Sequence, residues 1–168
     1  MCSIVLRHIP KDLASFEQIC SEFPNAPEGA AAVMILALLL YTENSQDGET
    51  ALGLAVHPDQ LTGGNKLSQR SLNLIKNQIK DKKYHMQSYF KNTSPEKGYT
   101  LVTAPYTLEF TTNPHSGRAD DGFIKLFIKS SGADSPRPIS VKIDQERKWK
   151  TAEWSSLLSG IRPPGATR

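Results

Sequence analysis

Two short stretches gather side chains capable of chemistry. The first, residues 114–121, holds His115, Ser116, Arg118, Asp120 and Asp121. Imidazole and carboxylate together suit general base work or metal ligation. Adjacent acids in extended chain point to different sides, however, and no second ligand group stands at a fixed spacing. The stretch therefore reads first as a polar hairpin loop. A hydrolase would have to be assembled from separate segments, drawing on His115, Asp120, Asp121 and His85.

The second stretch, residues 132–138, sets Arg137 between Pro136 and Pro138, behind Asp134 and Ser135. A residue before proline is held extended, and an aspartate can accept backbone N–H groups in an Asx-turn. One outcome is a rigid link between strands, with Arg137 paired to a carboxylate of the fold. The other is a stiff platform presenting Asp134, Ser135 and Arg137 to a partner, with Arg118 in support. These four residues form the candidate partner-binding site.

Other constellations are weaker. His8, His57, His85 and His115 show no metal-ligand spacing, and no phosphate loop, dinucleotide fingerprint or nucleophile elbow occurs. No metal or cofactor is expected. Residues 66–97 carry eight basic and two acidic side chains, with Tyr84, Tyr89 and Phe90 interleaved. Such a pattern can bind single-stranded nucleic acid, but a pI near 8.8 is modest for that role, and a solvated helix face is the plainer reading.

The elements that position these stretches follow from periodicity. Leu13, Phe16, Ile19, Cys20 and Phe23 recur at helical steps, predicting an amphipathic helix over 12–23. Pro27 and Glu28 open a second helix to about Tyr41, apolar almost all round and so central to the core. Asp47 is expected to cap a third helix, and Ser68 a fourth to about residue 81. Residues 62–65 form a turn. After Pro95 the period becomes two. Strands are predicted at 106–110, 123–129 and 139–143, with a fourth carrying Trp149 and a fifth over 99–103. The first nine residues suit a short strand or a docked arm.

The fold class is therefore α+β, with N-terminal helices packed on one face of a C-terminal antiparallel sheet of four to five strands. Residues 1–161 form one domain and 162–168 a frayed tail. Hydrophobic residues at 38% and charged residues at 22% exclude collagen-like, disordered and membrane classes. Cys2 and Cys20 read as free thiols. The longest apolar run, 30–41, is too short to span a bilayer. With no leader, the cytoplasm is the default location, and secretion without an N-terminal signal is the alternative. Charge is segregated: residues 1–65 carry two basic and eight acidic side chains, residues 66–168 eighteen and nine. Mutual attraction of the two halves is the expected use.

The run Ser130-Ser131-Gly132-Ala133-Asp134-Ser135-Pro136-Arg137-Pro138 resembles the Ser-Gly-Gly-Ala-Asp-Ser-Pro-Arg-Pro signature of an uncharacterised bacterial domain family. Phe23-Pro24, 27–31, Gln87-Ser88-Tyr89-Phe90, Trp149, 155–158 and 161–164 look similar to it too. Ser131 stands where that family usually has glycine. The resemblance implies a bacterial single-domain protein and carries no activity. The leading expectation is a non-enzymatic domain that binds a protein. The alternatives are the assembled hydrolase and a scaffold that self-associates through Phe123 and Phe127.

Overall fold

The computed structural model describes residues 1–101 and 103–166. In chain order it forms β1 (Cys2–Leu6), α1 (Leu13–Ser21), α2 (Pro27–Glu43), α3 (Ser45–Ala55), β2 (Leu61–Thr62), β3 (Lys66–Leu67), α4 (Gln69–Ile79), α5 (Tyr84–Gln87), β4 (Tyr106–Thr111), β5 (Phe123–Ile128), β6 (Arg137–Ile143) and β7 (Trp149–Glu153). Short 3-10 turns lie at Pro58–Gln60, Pro95–Lys97, Ala119–Asp121 and Ser155–Leu158.

The main sheet has the order β1-β4-β5-β6-β7 and every pairing is antiparallel. The last four strands form a meander, as short turn-rich links require. The fifth strand is β1, which pairs with the outer side of β4 from Cys2↔Phe110 to Leu6↔Tyr106. The strand predicted at 99–103 does not form in the described part of that stretch. Tyr99 has φ +57, which breaks extended backbone, and its ring is buried. Residue 102 lies outside the described residues.

Helix α2 lies across the sheet and packs on β1, β5, β6 and β7. Ile35, Leu36, Leu38 and Leu40 are fully buried, and each such side chain contributes about 1.5–3 kcal/mol. The sheet meets them with Ile4, Leu108, Phe110, Leu126, Ile128, Ile139 and Val141, all buried. The opposite face turns Phe123 and Lys125 to solvent. The α+β class, with helices on one face of a five-stranded antiparallel sheet, is thus realised.

The junction of α2 and α3 is a single residue. Asn44 ends α2 by donating its N–H to Leu40 O at 2.7 Å, and its side chain accepts Asp47 N–H at 3.1 Å to start α3. Asn44, rather than Asp47, is therefore the cap. Asp47 Oδ2 instead accepts Leu13 N–H at 2.9 Å, tying the start of α1 to α3. So tight a reversal presses α3 onto α2, and only glycine fits at 48, where an added Cβ would overlap Tyr41 Cα.

The two halves of the chain are joined by some of the expected ion pairs. Lys83 pairs with Glu43, and Lys142 with Asp59 at 3.1 Å. All four side chains are well exposed, so these pairs add little.

Gly48→Ala should cost about 1–3 kcal/mol in urea unfolding, because backbone meets the new methyl group. Gly63→Ala, with nothing within 4 Å of its Cβ, should be close to neutral.

Candidate functional site

The Pro-bracketed loop connects β5 to β6, and its first residues dock on the segment after α5. Ser130 Oγ donates to Ser88 Oγ at 2.8 Å, and Ser131 N–H to Ser88 O at 2.9 Å. Ser131 Oγ shares a 2.8 Å hydrogen bond with Thr93 Oγ1. The serine at the position where the resemblance expects glycine thus uses its hydroxyl, and its φ is not positive.

The rest of the loop grips the end of the chain. Gly132 O accepts Arg162 N–H at 2.9 Å. The Arg162 guanidinium pairs with Asp134. Arg137 Nη2 donates to Ser159 O at 2.8 Å and lies directly against Gly160, where any Cβ would overlap it. Tyr99 O–H donates to Arg162 O at 2.6 Å. Two further buried donors serve the same segment: Tyr89 O–H to Leu157 O at 2.8 Å, and His85 Nδ1–H to Leu158 O at 3.0 Å. Four carbonyls from Leu157 to Arg162 therefore each receive a side-chain donor. The segment expected to fray from residue 162 is tied down as far as Gly165, whose N–H donates to Pro95 O at 2.6 Å. Thr167 and Arg168 lie outside the described residues.

Burial marks this region electrostatically. It pushes the Tyr89 hydroxyl well up, against the nearby Arg137 charge, and raises Tyr99 against Arg162. It lowers His85, partly offset by the hydrogen bond to Leu158. Arg137 Nε and Arg162 Nη1 are enclosed with no acceptor among the described residues.

Of the four predicted contact residues, Asp134 and Ser135 are exposed on the loop. Asp134 spends its carboxylate on Arg162 rather than on an Asx-turn. Arg137 is turned inward, and its acceptor is a carbonyl rather than the expected carboxylate. Arg118 is not brought to them. It precedes β5 at the Phe123↔Lys142 end, whereas Arg137 faces Ile128 at the other end of the same pairing. Arg118 pairs instead with Asp120 at 3.6 Å on open surface.

The hydrolase set is likewise divided. His85 is buried beside Leu158, while His115, Asp120 and Asp121 are exposed in the loop before β5. Among the described residues no three His, Cys, Asp or Glu side chains group as metal ligands would. Burial pushes the Cys20 thiol up to about 12, which keeps it protonated. In the basic stretch Tyr89 and Phe90 are buried, so they offer no ring for base stacking.

A second site escaped the sequence pattern. His57 is buried at the edge of an open cleft of about 860 Å³, lined in part by Leu54, His57, Asp59, Asp144, Lys148 and Lys150. Its Nε2–H donates to Ile143 O at 3.1 Å. Its Nδ1 faces Asp59, 3.2 Å from the backbone nitrogen and 2.9 Å from Oδ1. The hydrogen bond from Lys142 holds the Asp59 carboxyl below the usual range, and His57 adds to this. A histidine beside a carboxylate suggests a general base, but a base needs a free ring nitrogen facing the cleft. Here both nitrogens are spent, and the pair locks the turn after α3 against the β6–β7 end. The one local signal was His57-Pro58-Asp59, a side-chain cap followed by proline at the start of a turn.

A neighbouring cleft, also about 860 Å³, runs along α3 and the β2–β3 hairpin and shares Gly53, Leu54 and Asn65 with the first. Gly53 packs against Asn65 O with no room for a Cβ, so hairpin and helix meet as a ridge between the clefts. Leu54 stands there 40% exposed.

Two outcomes follow. Arg137→Ala should cost about 1–2 kcal/mol in denaturant unfolding, since it removes the guanidinium that packs against Gly160 and donates to Ser159 O, whereas Ser135→Ala and Arg118→Ala should stay within about 0.5 kcal/mol. His85 has a folded pKa below its ordinary 6.5, so the unfolded chain binds this proton more readily. Its contribution is full above the unfolded value and is lost as pH falls through the folded one. His85→Gln should therefore flatten the fall in stability measured from neutral to mildly acidic pH.

No curated protein and no solved structure matches this chain. A family model described as a domain of unknown function, DUF6935, matches residues 8–165. That span includes the α-helical layer, the clefts and the loop that grips the chain end. The chain belongs to the DUF6935 family.

Proposed function

We propose that this domain is a non-enzymatic protein-interaction module whose contact surface is the pair of clefts meeting at Leu54. The observation that carries the reading is an exposed leucine on the ridge between two open clefts of about 860 Å³ each. Small-substrate sites are usually enclosed and hold a few convergent polar groups. These clefts are open, their rims mix acids and lysines, and the nearest imidazole has both nitrogens engaged internally. An extended polypeptide with an apolar side chain over Leu54 and polar groups along the rims fits that shape. Asp134 and Ser135, exposed on the far loop, are a separate surface and serve as the comparison.

The test is affinity capture with tagged wild-type protein, Leu54→Asp, and the Asp134→Ala/Ser135→Ala double variant. A partner in near-equal amount, bound at least about tenfold more weakly by Leu54→Asp and unchanged by the double variant, is the expected result. A partner lost only with the double variant would return the contact to the loop. No stoichiometric partner under any condition would overturn the interaction reading.

A further inference from the structure

The main sheet has one covered face and one open face. Helices α1, α3 and α5 gather on α2, which lies over the covered face. By register the open face takes Thr111 from β4, Phe123, Lys125 and Phe127 from β5, and Pro138 and Lys142 from β6. Strand β5 is the central one of the five. Together with Lys129 just beyond its end, it alternates phenylalanine and lysine: Phe123, Lys125, Phe127, Lys129. Same-face residues repeat about every 6.6 Å along a strand, so the two rings stand about 13 Å apart with an ammonium group between them. Phe123 is 44% exposed and Phe127 half-buried, while Lys125 and Lys129 are exposed.

Charge distinguishes the Phe127 end of this face. Residues 66–168, with eighteen basic and nine acidic side chains, supply four of the five strands. Glu109 is matched by Lys91 at 3.7 Å and Asp59 by Lys142 at 3.1 Å. Lys125 and Lys129 stand in no ion pair among the described residues. The acids outside such pairs lie at the margin, Asp121 in the turn before Phe123 and Glu153 opposite Ser140. The cationic surplus therefore lies toward Lys129. Next to it opens a cleft of about 270 Å³, lined in part by Lys91, Asn92, Glu109, Lys129, Ser130 and Ser131. The serine protons are spent inward. Ser130 Oγ donates to Ser88 Oγ, and since Thr93 Oγ1 donates to Phe90 O, Ser131 Oγ donates to Thr93. Between its two lysines the cleft thus offers acceptors, the Glu109 carboxylate and the serine oxygens.

We propose that this face binds single-stranded RNA, with bases stacked on Phe123 and Phe127, phosphates on Lys125 and Lys129, and one nucleotide seated in the cleft. An exposed ring serves any unstacked base and lysines follow the backbone, which is the combination that holds single strands. A duplex keeps its bases stacked on one another and gains nothing from the rings. The acceptors in the cleft select RNA over DNA, because a ribose 2′-hydroxyl can donate to Glu109 or to a serine oxygen. An apolar protein surface laid over the two rings would bury Lys125 between them without a partner. A second copy would set the lysines of β5 against their own kind. This surface goes beyond the clefts that meet at Leu54 and stands independently of the reading given to them.

The experiment is fluorescence anisotropy of the full chain with a labelled, randomised single-stranded RNA of about ten nucleotides, beside single-stranded DNA and duplex RNA of the same length, at low and moderate salt. Wild type should bind the single-stranded RNA most tightly, and more weakly as salt rises. Phe123→Leu and Phe127→Leu keep apolar bulk and remove the ring, so each should weaken binding at least about fivefold with the circular dichroism spectrum unchanged. Lys129→Gln should weaken binding and reduce its salt dependence. Glu109→Ala should narrow the preference for RNA over DNA, and Leu54→Asp should bind as wild type does. Absence of binding to every probe at low salt would overturn the proposal, as would binding indifferent to both leucine variants. Equal affinity for RNA and DNA would reject RNA as the occupant. A dimer in sedimentation, broken by Phe123→Lys, would give the face to a second copy and overturn the proposal as well.

Discussion

The carbonyl oxygens of Leu157, Leu158, Ser159 and Arg162 set the constraint on which much of this structure depends. The chain turns inward after β7, where Leu157 and Leu158 are buried and Arg162 half-buried, and a buried carbonyl must find a donor. Four side chains supply one each: Tyr89 O–H, His85 Nδ1–H, Arg137 Nη2 and Tyr99 O–H. They come from α5 and the residues after it, and from the first residue of β6. Satisfying these carbonyls therefore fastens the small helical segment, the β5–β6 loop and the chain end into one unit. Gly160 follows from the same requirement, since Arg137 occupies the space a side chain would need.

Much of the framework was legible in local pattern. The apolar run of α2, the stripe of α4 and the alternation along β4, β5 and β6 each carry their own period, so each could be read without knowing its neighbours. Where the structure departs, the cause is a partner remote in sequence or a choice between similar caps. Asn44 and Asp47 are equally good capping residues, and only the single-residue reversal after α2 selects the former. The fifth strand is β1 because β4, about a hundred residues later, offers it an edge. Tyr99 looked like strand material, but its hydroxyl is needed 63 residues away at Arg162.

The candidate site divides on the same principle. The two prolines correctly marked Arg137 as held in extended chain, at the start of β6. What it would hold was invisible, because its acceptor is a backbone carbonyl, and a carbonyl has no residue type to read. His57 was passed over for an equivalent reason: Ile143 O stands 86 residues away and leaves no mark in composition. The most distinctive run in the sequence is thus spent mainly on internal hydrogen bonds. What remains at the surface is plainer chemistry, an exposed leucine between open clefts.

The chain end is part of the folded core rather than a tail lying upon it. Native-state amide hydrogen exchange at Arg162 measures this directly, because its N–H donates to Gly132 O at the centre of the grip. If the segment is integral, this amide exchanges only through global opening, as slowly as the amides of β5 and β6. Exchange at Arg162 as fast as in an open turn, with the strands still protected, would show that the segment detaches freely and would contradict the account.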